Sequence, residues 1–172
     1  METTPHKASS PEIQKELFIY YLNKIYDGKL YLNEQLPLVI KKTKLKVLQL
    51  ALEELLKDVK TQINRMEEIY AMLNVTPTEI TDAPIKTIIQ NACDLRNNPD
   101  SVIVNDMDIM VHMQLVEHVN IISYRMLRRL ASLLNYKKIE QLMVECFDES
   151  RDDDKLFLMI ADEYLGAPNQ VL

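Results

Sequence analysis

Four polar side chains stand out in seams that are mostly apolar: Lys29, Asn120, Glu149 and Asp153. Lys29 stands 13 residues before a chain break near residue 42, and Leu55 stands 13 after it. Asn120 stands 15 residues before a second break near 135, and Glu149 stands 14 after it. At ~1.5 Å of rise per helical residue, each pair is nearly level across its own hairpin. One mid-bundle layer therefore collects Lys29, Leu55, Asn120 and Glu149, with Asp153 one turn further and Glu117 and His118 one turn from Asn120. Carboxylates from facing helices, with imidazoles at i, i+3 or nearby, are the donors of a dinuclear metal site in a bundle core. An ammonium among the same carboxylates is the donor set of a buried ion pair. The layer admits a metal held by Glu117, His118, Glu149 and Asp153. It equally admits a pair between Lys29 and Glu149 or Asp153 in place of the ion. Two plainer readings stand beside these: Lys29 snorkels out to water, and His118 is a hydrogen-bonded structural histidine.

The elements that hold this layer follow from spacing. Ser10-Pro11-Glu12 is a helix start, with a hydroxyl cap, proline at the first position and an acid in the first turn. Phe18, Leu22, Ile25, Lys29, Leu32, Leu36 and Val39 then recur at steps of four and three, the seam of a packed helix, with a kink expected at Pro37. Leu45, Leu48, Leu52, Leu55, Val59, Gln62, Met66, Ile69 and Leu73 repeat the pattern until Asn74 and Pro77 stop it. Residues 75–101 carry prolines and cap signals around one short helix, about 83–96, and read as a crossover. A third long helix spans about 101–134 with seam Ile109, Met113, Val116, Asn120, Ser123, Leu127, Leu130 and Leu134. A fourth begins near Tyr136 with seam Ile139, Leu142, Cys146, Glu149, Asp153, Leu156 and Ile160. The prediction is an all-α, ferritin-like four-helix bundle: two antiparallel hairpins joined by a long crossover that carries a short helix. Residues 1–9 are expected to be a disordered N-terminus, 10–165 the bundle and 166–172 a C-terminal tail.

Composition narrows the function classes. The chain has 172 residues, 47% hydrophobic and 27% charged, which is globular. Two glycines argue against an all-β sandwich or a glycine-rich phosphate loop. A net charge of −6 argues against nucleic acid as a partner. No apolar run nears the ~18 residues of a membrane span, and no apolar leader follows Met1. Cys93 and Cys146 are isolated thiols, which points to a reducing, cytoplasmic setting. No Ser/His/Asp or Cys/His nucleophile constellation is discernible, so no catalytic residue is assigned. The Met107, Met110 and Met113 stripe reads as core filling.

Residues 17–165 resemble the stress-induced, YciF-like branch of the ferritin-like superfamily. The match runs through Leu17-Phe18, Ile25-Tyr26, Leu36-Pro37, Leu52-Glu53-Glu54 and Arg65-Met66-Glu67. It continues through Gln114, Val116-Glu117-His118, Ile121 and Tyr124, then Asp148-Glu149, Asp153 and Leu156. The resemblance implies a di-iron-type site with Glu where this chain has Lys29, His at Leu55 followed by an acid at Asp58, and a second Glu at Asn120. Matching positions persist at Glu117, His118, Asp148, Glu149 and Asp153. Three ligand-type positions, Lys29, Leu55 and Asn120, thus carry non-ligands. The expected function is a non-catalytic, stress-associated structural or interaction protein with a degenerate, metal-free layer and no cofactor. The alternative is a metalloprotein that keeps iron or another divalent metal on Glu117, His118, Glu149 and Asp153, with oxidase-type or iron-handling activity. Buried beside Lys29, an acid is expected to titrate below its ordinary pKa. Val111, Leu115 and Ile122, apolar but off the seam of the third helix, predict an isologous homodimer together with Tyr20, Tyr21 and Tyr31. Any other protein partner stays open.

Overall fold

Helix α1 (Pro11–Lys42) starts as its cap signals require: the Ser10 side chain accepts from the Ile13 N–H at 3.4 Å, and Pro11 takes the first position. The helix runs through Pro37 without a break and ends with Lys41 and Lys42 in its last turn, where cations suit the dipole. This computed structural model describes residues 10–80, 83–93 and 102–166. The expected loose ends at 1–9 and 167–172 lie outside the described residues, as do 94–96 of the predicted short helix.

Helix α2 (Lys46–Leu73) has no cap of its own. The residue in the cap position is Leu45, whose side chain accepts nothing, and the first turn holds no acid. The missing acceptor comes from far along the chain. Asp106, fully buried, accepts from Leu45 N at 2.6 Å and from Lys44 N at 3.1 and 3.2 Å. At the other end Asn74 adopts the left-handed conformation, φ 52°, and closes the helix through its N–H to Tyr70 and Ala71 carbonyls.

The remaining elements are α3 (Pro84–Cys93), α4 (Val102–Leu133) and α5 (Lys137–Leu165). Asn135, φ 58°, makes the tight α4–α5 turn, and Gly166, φ 68°, ends α5. Helix α1 packs on α2, α2 on α5, α5 on α4 and α4 on α1, which closes a four-helix ring. Asp106 near the start of α4 sits against the α1–α2 turn, so α4 begins at the end of the bundle where α1 finishes. The segment between α2 and α4 therefore travels the length of the bundle, ~42 Å for a helix the length of α2. This is the ferritin-like layout expected from the seams.

Helix α3 lies over the groove between α1 and α4. Ala83, Ile85, Ile89 and Ala92 are buried there. The approach is close because α1 presents Gly28: a Cβ at that position would stand 3.0 Å from both Cβ and Cδ1 of Ile85. Lys86 bridges to Asp27 of α1 and donates to the Ile80 carbonyl, which fixes the height of α3. The bundle interior is filled by fully buried Phe18, Leu32, Leu52, Leu55, Met66, Met113 and Phe157 among others. The methionine stripe is part of this core, as expected.

Candidate functional site

Halfway along the bundle the seam becomes polar. Lys29 (α1), Gln62 (α2), Glu117, Asn120 and Tyr124 (α4) and Ser150 (α5) are all fully buried, and Asp153 is 5% exposed. A hydrogen-bond chain crosses this level. Tyr124 Oη donates to Gln62 Oε1 at 2.9 Å, and Gln62 Nε2 donates to Glu149 Oε2 at 3.1 Å. Arg65 Nη1 donates to the same Glu149 oxygen at 2.7 Å, and its Nε lies 3.1 Å from Glu145 Oε2. Asn120 Nδ2 donates to Glu117 Oε2 at 3.0 Å, one turn apart on α4.

Lys29 differs from both expectations placed on it. It does not snorkel, since its side chain is fully buried. Nor does it form an ion pair with Glu149 or Asp153: its Nζ has no hydrogen-bond partner and stands 5.9 Å from the centroid of the Tyr124 ring. Glu149 is taken by Arg65 and Gln62 instead. The guanidinium reaches Glu149 from α2, which packs beside α5, and extends its Nε to Glu145 as well. Glu117 Oε1, Asn120 Oδ1, Ser150 Oγ and Asp153 Oδ2 are likewise without partners.

The electrostatics of the layer also depart from expectation. Asp153 is pushed up, to about 8, rather than down. Burial is the main cause, Glu117, Asp58 and Glu149 add to it, and Lys29 opposes it without prevailing. Asp58 is raised by burial and by Glu149. Burial also pushes the Cys146 thiol up to about 12, so this buried free cysteine is an inert core side chain, as its seam position suggested.

His118 lies outside the layer. It is 63% exposed, on the outer side of α4, with Nε2 3.5 Å from Asp154 Oδ1. One residue separates it from Glu117, and on a helix that is a rotation of ~100°, enough to put one side chain in the core and the other in water. Asp148 is also at the surface, beside Arg151. The four-ligand set Glu117, His118, Glu149 and Asp153 is therefore not brought together. Among the described residues no three His, Cys, Asp or Glu side chains converge as a metal site would need. A dinuclear iron centre of the implied kind does not fit the residues present: an ammonium, a hydrocarbon and a carboxamide occupy three of its positions, and the one histidine of the set faces outward.

Three participants escaped the sequence reading. Gln62 falls in step with the apolar seam of α2, although a glutamine at a seam position is itself a polar interruption. Arg65 carries the Glu149 contact, and its signal was a cation three residues after Gln62. Asp106 had no local signal, because its partners are 61 and 62 residues away. Away from the layer, an open cleft of about 340 Å³ at the end of the bundle is lined by Lys15, Met72, Leu73, Tyr136, Lys137, Lys138 and Ile139.

Comparison with known proteins agrees with this architecture. A family model, described as a domain of unknown function (DUF892), matches residues 14–167. Protein YciF of Escherichia coli K12 is 25% identical over 141 residues, covering 81% of this chain and 85% of the relative. The crystal structure of the E. coli stress protein YciF superposes with a TM-score of 0.84 at 23% identity, over 90% of this chain and 98% of that one. YcfI, a proposed structural protein of Rhodopseudomonas palustris, gives 0.79 at 21% identity over 90% and 97% of the two chains. A protein of Xanthomonas campestris pv. campestris gives 0.70 at 14% identity over 90% and 94%. With nearly its whole length matched by the family model and the same helical layout, this chain belongs to the DUF892 family, in its YciF-like branch.

Proposed function

We propose that this chain is a non-catalytic, stress-associated structural or interaction protein of the cytoplasm, acting as a homodimer, in which the mid-bundle layer is held by side chains rather than by metal. The observation that carries the reading is Lys29: an ammonium is fully buried at the level where a di-iron bundle gathers carboxylates. A cation there repels a divalent ion through a low-dielectric medium, and Asn120 and Leu55 withdraw two further ligands. The relatives named a stress protein and a proposed structural protein point the same way. No helix among the described residues is long and apolar enough to cross a membrane. Metal analysis of the chain purified after growth with added iron and manganese tests the reading. Metal well below one equivalent, with no rise in melting temperature on adding either ion, is expected. Near-stoichiometric metal lost on mutating Glu117 or Asp153 would overturn the metal-free layer and restore the metalloprotein alternative.

A further inference from the structure

The open cleft of about 340 Å³ at the end of the bundle is walled in part by three lysines, Lys15 of α1 and Lys137 and Lys138 of α5, and no Asp or Glu lines it. That is an uneven distribution in a chain of net charge −6. Two of these cations also stand where a helix resists them. Lys137 and Lys138 are the first two residues of α5, at the positive end of its dipole, and Tyr136 in the cap position gives no side-chain hydrogen bond. The acid of that first turn, Glu140, turns to Arg128 at 3.9 Å. Lys138 reaches Glu68 only loosely, at 3.9 Å with both side chains exposed. The ammonium groups of Lys15 and Lys137 have no ion-pair partner among the described residues. The last two residues of α2 line the same cleft, but the carbonyls of Tyr70 and Ala71 at that helix end already accept from the Val75 and Asn74 N–H groups.

We infer that this cleft binds a small organic anion, a carboxylate or phosphate head on a short apolar body. The head is drawn by Lys15, Lys137 and the N–H groups that open α5, sources of positive potential that the fold brings together without neutralising. The rest of the wall selects the body: Met72, Tyr136 and Ile139 offer hydrocarbon and an aromatic ring beside the charges. Volume limits the ligand. About 340 Å³ is at the small end of ligand pockets, which run ~300–1,000 Å³, so the occupant is a small molecule with a short body. Without the anion the arrangement works against the fold, since like charges gather at a positive helix end. Local choices that oppose stability are expected where they complete a binding site. The cleft lies away from the mid-bundle layer, and its ligand does not depend on whether that layer is free of metal.

The test is calorimetric titration of the full chain with octanoate and octyl phosphate, and with inorganic phosphate and octan-1-ol as the head alone and the body alone. Saturable binding is expected for at least one of the two amphipathic anions, weaker as salt is raised and at least about tenfold tighter than for either fragment. The tighter of the two anions identifies the head. Amide NMR shifts are expected at Lys138 and Ile139. Lys137→Glu is expected to abolish binding and, by relieving the helix end, to raise the melting temperature of the unliganded chain. A lysine with a purely structural role would not give those opposite signs. Lys15→Gln is expected to weaken binding several-fold with an unchanged melting temperature. No saturable binding of either anion at millimolar concentration would overturn the assignment. So would a fragment that binds as tightly as the anion, amide shifts confined to other parts of the chain, or full affinity in the Lys15→Gln, Lys137→Gln double variant.

Discussion

Asp153 holds its proton to about pH 8 because its carboxyl is buried, with Glu117, Asp58 and Glu149 adding to the effect and Lys29 opposing it without reversing the balance. In the unfolded chain the same group titrates near 3.8. The folded value is the higher one, so the stability linked to Asp153 is complete below about pH 4 and is lost as pH rises to about 8. Asp153→Asn, which keeps the shape without the charge, is expected to be more stable than the parent by about 2–4 kcal/mol at pH 8 and indistinguishable at pH 4. Urea midpoints at both values check this; equal parent and variant midpoints at pH 8 would contradict the buried-acid account. Lys29→Met is expected to show the opposite dependence. Removing the ammonium costs about 1–3 kcal/mol at pH 9, where Asp153 is ionised, and clearly less at pH 5, where it is not. The level of these side chains was legible from residue spacing alone. Their pairing was not, because spacing gives height along an axis but not which wall of the core a side chain reaches from. That is how Arg65, rather than Lys29, came to hold Glu149.

At the scale of elements, the seams and stop signals set the four long helices to within a residue or two, since a 3.6-residue period over some thirty residues leaves little room for error. The contacts between elements that involve single polar residues were less visible. The cap on α2 is the clearest case: Leu45 offers nothing locally, and Asp106 supplies the carboxylate across the bundle. Asp106→Ala is expected to destabilise the chain by about 1–2 kcal/mol, and more if the Lys44 and Leu45 N–H groups stay buried and unpaired. Faster hydrogen exchange at those two amides would report it directly. Gly28 makes a second test. Alanine is the better helix former by about 1 kcal/mol, yet its methyl would press on Ile85. Gly28→Ala is expected to destabilise the parent but to stabilise an Ile85→Ala background, a change of sign that a double-mutant cycle in urea would reveal. The same sign in both backgrounds would mean that α3 shifts freely on α1.

For the whole molecule, the bundle shares the layout of the YciF crystal structure, and the middle of its core buries Lys29, Leu55 and Asn120. If, as proposed, Lys29, Leu55 and Asn120 keep metal out of this layer, then Lys29→Glu with Leu55→His and Asn120→Glu is expected to confer divalent-ion affinity. Addition of Mn²⁺ would then raise the melting temperature of the triple variant and leave the parent unchanged, as binding to the folded state alone requires. A triple variant that folds but shows no such shift would undo the correspondence between these positions and a metal centre. The reach of Asp106 across the bundle also bears on how the chain is made. Synthesis runs from the N-terminus, and domains begin to organise as they emerge. The α1–α2 hairpin emerges long before Asp106, so the Lys44 and Leu45 N–H groups at the head of α2 must spend that interval open to water. A ribosome-bound or truncated chain ending at residue 80 would thus hold a hairpin that frays at its turn. The moment at which residue 106 clears the exit tunnel is the earliest at which the first half of the protein can close.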